Sequence, residues 1–184
     1  MPLRDELIQR AIEQLAASFA RLLTRTAGAH GGALESEAGT LTAGEVEALR
    51  EQLDRLYKTF MGSSSQLVLR LGSDDLIKVL GSAGFVDGER AYLLSSLLET
   101  EAQLLVSQGA NADDDTVLAM RTRALDLVLE AGLAALGEPE LPSRVARLLD
   151  VVPGGVRPPS TWERLVWFGF ETGDFGAAEN ALYA

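Results

Sequence analysis

The chain has 184 residues, enough for one domain with a buried core, and its 47% apolar and 23% charged content is that of a globular protein. A formal net charge of −11, with 16 basic residues scattered singly among 27 acids, argues against nucleic-acid and anionic-membrane surfaces, which need clustered Lys and Arg. The absence of cysteine excludes disulfide staples and thiolate metal sites.

Leu and Ala dominate the apolar set and β-branched residues are few, so composition leans to helix. The first predicted helix runs from about Leu3 to Thr26. Leu7, Ile8, Ala11, Ile12, Leu15, Phe19, Leu22 and Leu23 recur there at three- and four-residue steps on one face. Charged residues from Arg4 to Glu13 interrupt any signal-peptide core. Residues 28–44 are rich in Gly and Ala, carry His30, and read as a flexible insert. Thr42-Ala-Gly-Glu45 matches a capping box and opens a second helix to about Met61, ended by Gly62-Ser-Ser-Ser65.

Gln66 to Leu71 reads as a short helical turn. Ser73-Asp74-Asp75 is expected to cap a short helix to Leu80, stopped by Gly81 and Gly84. Asp87-Gly-Glu89 opens a helix through Gln108, apolar around much of its circumference and therefore expected to be central. Asp113-Asp114-Asp115 starts the next, which extends to about Leu136 and is ended by Gly137, Pro139 and Pro142. A short helix over Ser143 to Val152 is terminated by Pro153-Gly154-Gly155. Ser160-Thr-Trp-Glu163 reads as a second capping box, opening a helix that stops at Gly173, and a last helix starts at Phe175. No segment alternates apolar and polar residues convincingly, so the expected fold is all-α, a single domain over 1–184.

Trp162, Leu165, Val166, Gly169 and Phe170, then the turn Glu171-Thr-Gly-Asp-Phe175, then Ala177-Ala-Glu-Asn-Ala-Leu182, resemble a tetratricopeptide (TPR) hairpin. Helices crossing closely need small residues at the crossing, and Gly permits the sharp reversal. A looser copy lies at 88–134, and the first two helices form a third candidate pair. At whole-chain level Asp5-Glu-Leu-Ile-Gln-Arg-Ala-Ile-Glu-Gln-Leu15, Ser73-Asp-Asp-Leu-Ile77 and Gly173-Asp-Phe-Gly-Ala-Ala-Glu179 resemble an uncharacterised bacterial family of short TPR-like helical proteins. That resemblance implies stacked antiparallel hairpins and a scaffold-like role, and lends no catalytic residues.

Reactive chemistry is not legible. His30 stands alone in a loop, without an ordered second group for acid-base, nucleophilic or zinc work. Asn111-x-Asp113-x-Asp115 opens like a calcium loop, but Thr116 and Thr122 stand where Gly and a bidentate Glu belong, so helix-start acids are the better reading. Phosphate-loop, dinucleotide, nucleophile-elbow and zincin patterns are absent. The expectation is a non-catalytic interaction or scaffold protein, without cofactor or metal, in the cytoplasm, binding an unidentified protein or peptide. Its groove would be lined by Ser95, Ser96, Gln103 and Ser107, without the clustered Lys and Arg with which TPR domains clamp acidic tails. Trp162, Trp167, Phe168, Phe170, Phe175 and Tyr183 crowd the last segment, where Ala181-Leu-Tyr-Ala184 offers no polar cap. They read either as the packed core of the last hairpin or as a candidate interface, and the interface reading implies a homodimer. The alternative class is a helical-bundle small-molecule binder or enzyme.

Overall fold

A computed structural model describes residues 42–82, 85–134 and 140–183, together with Arg10. The expected first helix (3–26), most of the 28–44 insert and His30 lie outside the described residues, as does any pairing of the first two predicted helices. Among the described residues the chain is helical apart from one two-residue antiparallel strand pair, so the all-α expectation holds.

Helix α1 spans Ala43–Met61 and starts on the anticipated capping box: Glu45 N–H donates to Thr42 Oγ1, and Thr42 N–H to Glu45 Oε2 at 2.9 Å. It ends at Gly62, whose φ of 67° is left-handed. Its Leu49, Leu53, Leu56, Tyr57 and Phe60 face inward. A short turn α2, Ser65–Val68, leads to α3, Ser73–Leu80. Here the expected side-chain cap is absent: the N-cap is Gly72, and Asp74 reaches instead to Arg164, a partner 90 residues away. Strands β1 (Gly81–Ser82) and β2 (Phe85–Val86) then reverse the chain, with Gly81 opposite Val86.

Helix α4, Gly88–Ser107, is capped by Asp87, which accepts from Arg90 N–H. Helix α5, Asp115–Leu133, is capped by Asp114, which accepts from Thr116 N–H at 2.8 Å. Asp114 and Asp115 thus begin a helix, as the sequence suggests. The α4–α5 pair is the most extensive packing in the described chain, and Ala102 of α4 meets Val117 and Met120 of α5 near the connection, as an antiparallel hairpin requires.

The central helix is α5 rather than α4. Ten of its residues are buried, from Val117 to Ala131, and it touches α3, α4 and the two helices that follow. Helix α6 is Leu141–Val151, two residues earlier at its start than the sequence suggests, with Pro142 inside its first turn rather than ending α5. Proline is tolerated there because first-turn N–H groups have no intrahelical acceptor. Buried Leu141 anchors that start. Arg144 ties α6 to α4 by donating to Glu99 and lying 4.5 Å over the Tyr92 ring. A 3₁₀ turn, Gly154–Val156, precedes α7, Pro159–Thr172, and α8 is Phe175–Leu182.

Tyr57 is buried and Glu101 half-buried between α1 and α4, where the tyrosine hydroxyl and the Glu101 carboxylate face one another. Burial holds Glu101 above its ordinary value of 4.5, with the Tyr57 hydroxyl and then Arg50 partly offsetting this. The folded chain therefore binds that proton more tightly than the unfolded one. The stability it lends is present at acidic pH and is lost as pH rises through the raised folded value. In urea unfolding at pH 4.5 and at neutral pH, Glu101→Gln is expected to gain on the wild type as pH rises. A pH-independent difference would show that burial does not govern this carboxylate.

Candidate functional site

The site is built on the α7–α8 hairpin and its seat on α5. Helix α7 does not begin on the expected Ser160–Glu163 capping box. Its N-cap is Pro158, Pro159 occupies the first turn, and no side chain caps it. Ser160, the expected cap, lies inside the helix, and the hydroxyl of its neighbour Thr161 donates to Asp126 Oδ1 at 2.6 Å. Asp126 has no exposure on an otherwise apolar helix. Burial raises its pKa, while the Ser73 and Thr161 hydroxyls and the Arg164 guanidinium favour the ionised form. Arg164 Nη1 lies 3.5 Å from Asp126, Nε 2.7 Å from Glu130 and Nη2 2.6 Å from Asp74. One guanidinium thus joins α3, α5 and α7.

Gly173 ends α7 with φ 75°, and Asp174 caps α8 by accepting from Ala177 N–H at 3.0 Å. A methyl group at Gly169 would meet Ala178 Cβ at 2.8 Å and Asp174 O at 2.9 Å. The two helices touch at that point, the small-residue crossing expected from the sequence.

The six aromatic residues do not form one surface. Phe168 is buried against Gly132, where an added Cβ would lie 2.5 Å from its ring. Trp162 is half-buried beneath Arg157, whose guanidinium carbon sits 5.0 Å above the ring. Helical spacing explains the split: residues 161, 165, 168 and 169 face the core, so 167 and 170 face away. Trp167, Phe170, Phe175 and Tyr183 are exposed. Trp167 and Phe170 ring centres are 6.2 Å apart, and Phe170 and Phe175 are 6.0 Å apart in an edge-to-face pair. Leu182, one heptad beyond Phe175, is exposed on the same side of α8.

On the other side of the hairpin lies a groove of about 640 Å³ between α6 and α7–α8. Val145, Leu149, Leu165, Phe168 and Ala181 make it apolar, while Arg157 and Asp174 are its charged members. Sequence reasoning missed this groove and the roles of Arg157, Asp126 and Arg164, since charged residues in a helical chain ordinarily lie on solvated faces. A lone Asp in the apolar run from Ala124 to Leu129 was the one available signal. The groove expected on α4 does not form as described: Ser95 is fully buried and its hydroxyl donates to Tyr92 O. Gln103 lines a smaller hollow beside Glu99, Arg121 and Arg147.

Among the described residues no group of three or more His, Asp or Glu is placed to hold a metal, and no helix is long and apolar enough to cross a membrane. No protein-family model, curated protein or solved structure matches the chain.

Two substitutions test this construction. Arg164→Met strands Asp126 without its cation, and is expected to lower unfolding stability by about 3–5 kcal/mol in urea titrations. Gly169→Ala adds a methyl where backbone atoms already stand, and is expected to lose about 1–3 kcal/mol despite the better helix propensity of alanine. Wild-type stability in either variant would contradict the packing described.

Proposed function

We propose that this chain is a non-catalytic protein-interaction scaffold made of stacked, TPR-like helix pairs, and that the outward side of the α7–α8 hairpin is its contact surface, used first for self-association into a homodimer. The observation that carries this reading is the run of exposed aromatic rings. Trp167, Phe170, Phe175 and Leu182 are 56%, 52%, 65% and 66% exposed on one side of one hairpin. Single exposed apolar residues are ordinary, but a contiguous aromatic group marks an interaction surface. Aromatic rings bring large apolar area at small conformational cost, which is why interface centres favour them. In stacks of helical hairpins this is the face that a neighbouring pair covers. The small-residue crossing at Gly169 and Ala178, and the tight Gly173-Asp174 reversal, support the TPR-like description of the hairpin.

The reading predicts concentration-dependent dimerisation. Light scattering coupled to size exclusion is expected to give twice the 19.7 kDa chain mass at tens of micromolar. The double variant Trp167→Ser, Phe175→Ser is expected to remain monomeric with unchanged helicity. A wild-type chain that stays monomeric at millimolar concentration would refute self-association, and a lysate pull-down without a specific partner would then remove the interaction role.

A further inference from the structure

We infer that the groove between α6 and the α7–α8 hairpin binds an elongated apolar carboxylate of the acyl-acid class, with its carboxylate on Arg157 and its chain laid along α7. This goes beyond the proposed interaction role and concerns the opposite side of the hairpin from the exposed aromatic rings.

Helices α6 and α7 each pack on α5 but make little contact with one another, and this separation opens the groove. Its volume of about 640 Å³ falls in the range of small-molecule sites, and its walls are mainly aliphatic, as such sites are. Gly169, Ala177 and Ala181 line it on the hairpin side, so the space is left by small residues rather than covered by large ones.

Arg157 gives the groove its chemistry. Among the described residues it has no acid within ion-pairing distance, unlike Arg144 and Arg164, which pair with Glu99 and with Asp74 and Glu130. Its Nε donates to Val152 O at 2.9 Å, and its Nη2 to Leu149 O at 2.8 Å. Its plane lies over Trp162. Capping the last carbonyls of α6 accounts for those two nitrogens. It leaves Nη1 without a partner among the described residues and holds the guanidinium still beside an apolar cavity. A half-buried cation in that setting is completed by an anion, and a fixed guanidinium binds carboxylate with charge-assisted hydrogen bonds. The far end of the groove selects the orientation. Thr172, the last residue of α7, is about 15 Å along the helix from Trp162 at the helical rise per residue, and Asp174 stands just past it. The Asp174 carboxylate repels a second anion, so a ligand with one carboxylate and an apolar tail fits one way round.

Trp162 lines the groove and Trp167 does not, so the chain with Trp167→Phe carries one tryptophan as a reporter. Titration of this chain with dodecanoate, below its micelle concentration, is expected to give a saturable change in fluorescence. The methyl ester of dodecanoate is expected to bind about tenfold more weakly, the effect of losing one charge-assisted contact. Adding Arg157→Gln is expected to make acid and ester bind equally weakly, and Arg157→Lys to recover part of the preference for the acid. Ala181→Phe fills the groove and is expected to abolish binding of both, with helicity by circular dichroism unchanged. Absence of a saturable signal, equal binding of acid and ester in the reporter chain, or a preference for the acid that survives Arg157→Gln would each overturn the assignment. None of these readouts depends on dimerisation, which the light-scattering experiment tests separately.

Discussion

A carboxylate sealed inside the most buried helix governs the arrangement of this molecule. Asp126 has no exposure, and its neighbours on α5 are Leu125, Leu127, Val128 and Leu129. An isolated charge in such surroundings is costly, so some other element must bring a hydroxyl and a cation to it. Helix α7 does both, through Thr161 and Arg164. Arg164 then draws in Glu130 from α5 and Asp74 from α3. Replacing such a network with apolar residues often costs nothing in stability, so its value lies in which helix it admits. Another apolar helix in the place of α7 would leave Asp126 unpaired.

The position of α7 decides the two sides of the hairpin. Gly173 and the Gly169–Ala178 contact hold α8 tightly against α7, so the pair behaves as one slab. One side of the slab faces α6 across an apolar gap with a held guanidinium at its edge. The other side shows aromatic rings to solvent. These surfaces differ in chemistry, since one sets Arg157 at the edge of an apolar groove and the other exposes Trp167, Phe170 and Phe175.

Most of the secondary structure was legible because its signals are local. The Thr42–Glu45 box, the Gly62 stop, the Asp87 and Asp114 starts and the Gly173 reversal all sit where the sequence places them. Asp74 looks like a helix-start residue in sequence and is diverted to a partner far along the chain, while Ser160 looks like a cap but lies inside a helix that Pro158 and Pro159 begin earlier. Pro142 looks like a terminator, yet buried Leu141 anchors a helix start that places the proline in a permissive first turn. The centrality expected of α4 passes to α5 because apolar content shows that a helix is buried, not which of two neighbours receives packing from more sides.

Of the candidate site, the sequence showed that aromatic residues concentrate after residue 160, and helical spacing alone separates Phe168 from Trp167 and Phe170. It could not show that Phe170 and Phe175, on different helices, bring their rings together, or that Arg157 would lie over Trp162 without an acid beside it. The amino-acid sequence by itself determined the helical class, the helix ends set by Gly and capping residues, and the absence of thiol chemistry, since each depends on residues a few positions apart. Only the tertiary structure decided the central helix, the buried Asp126–Arg164 pairing and the groove. Those depend on which distant side chains meet, and local periodicity carries no information about that.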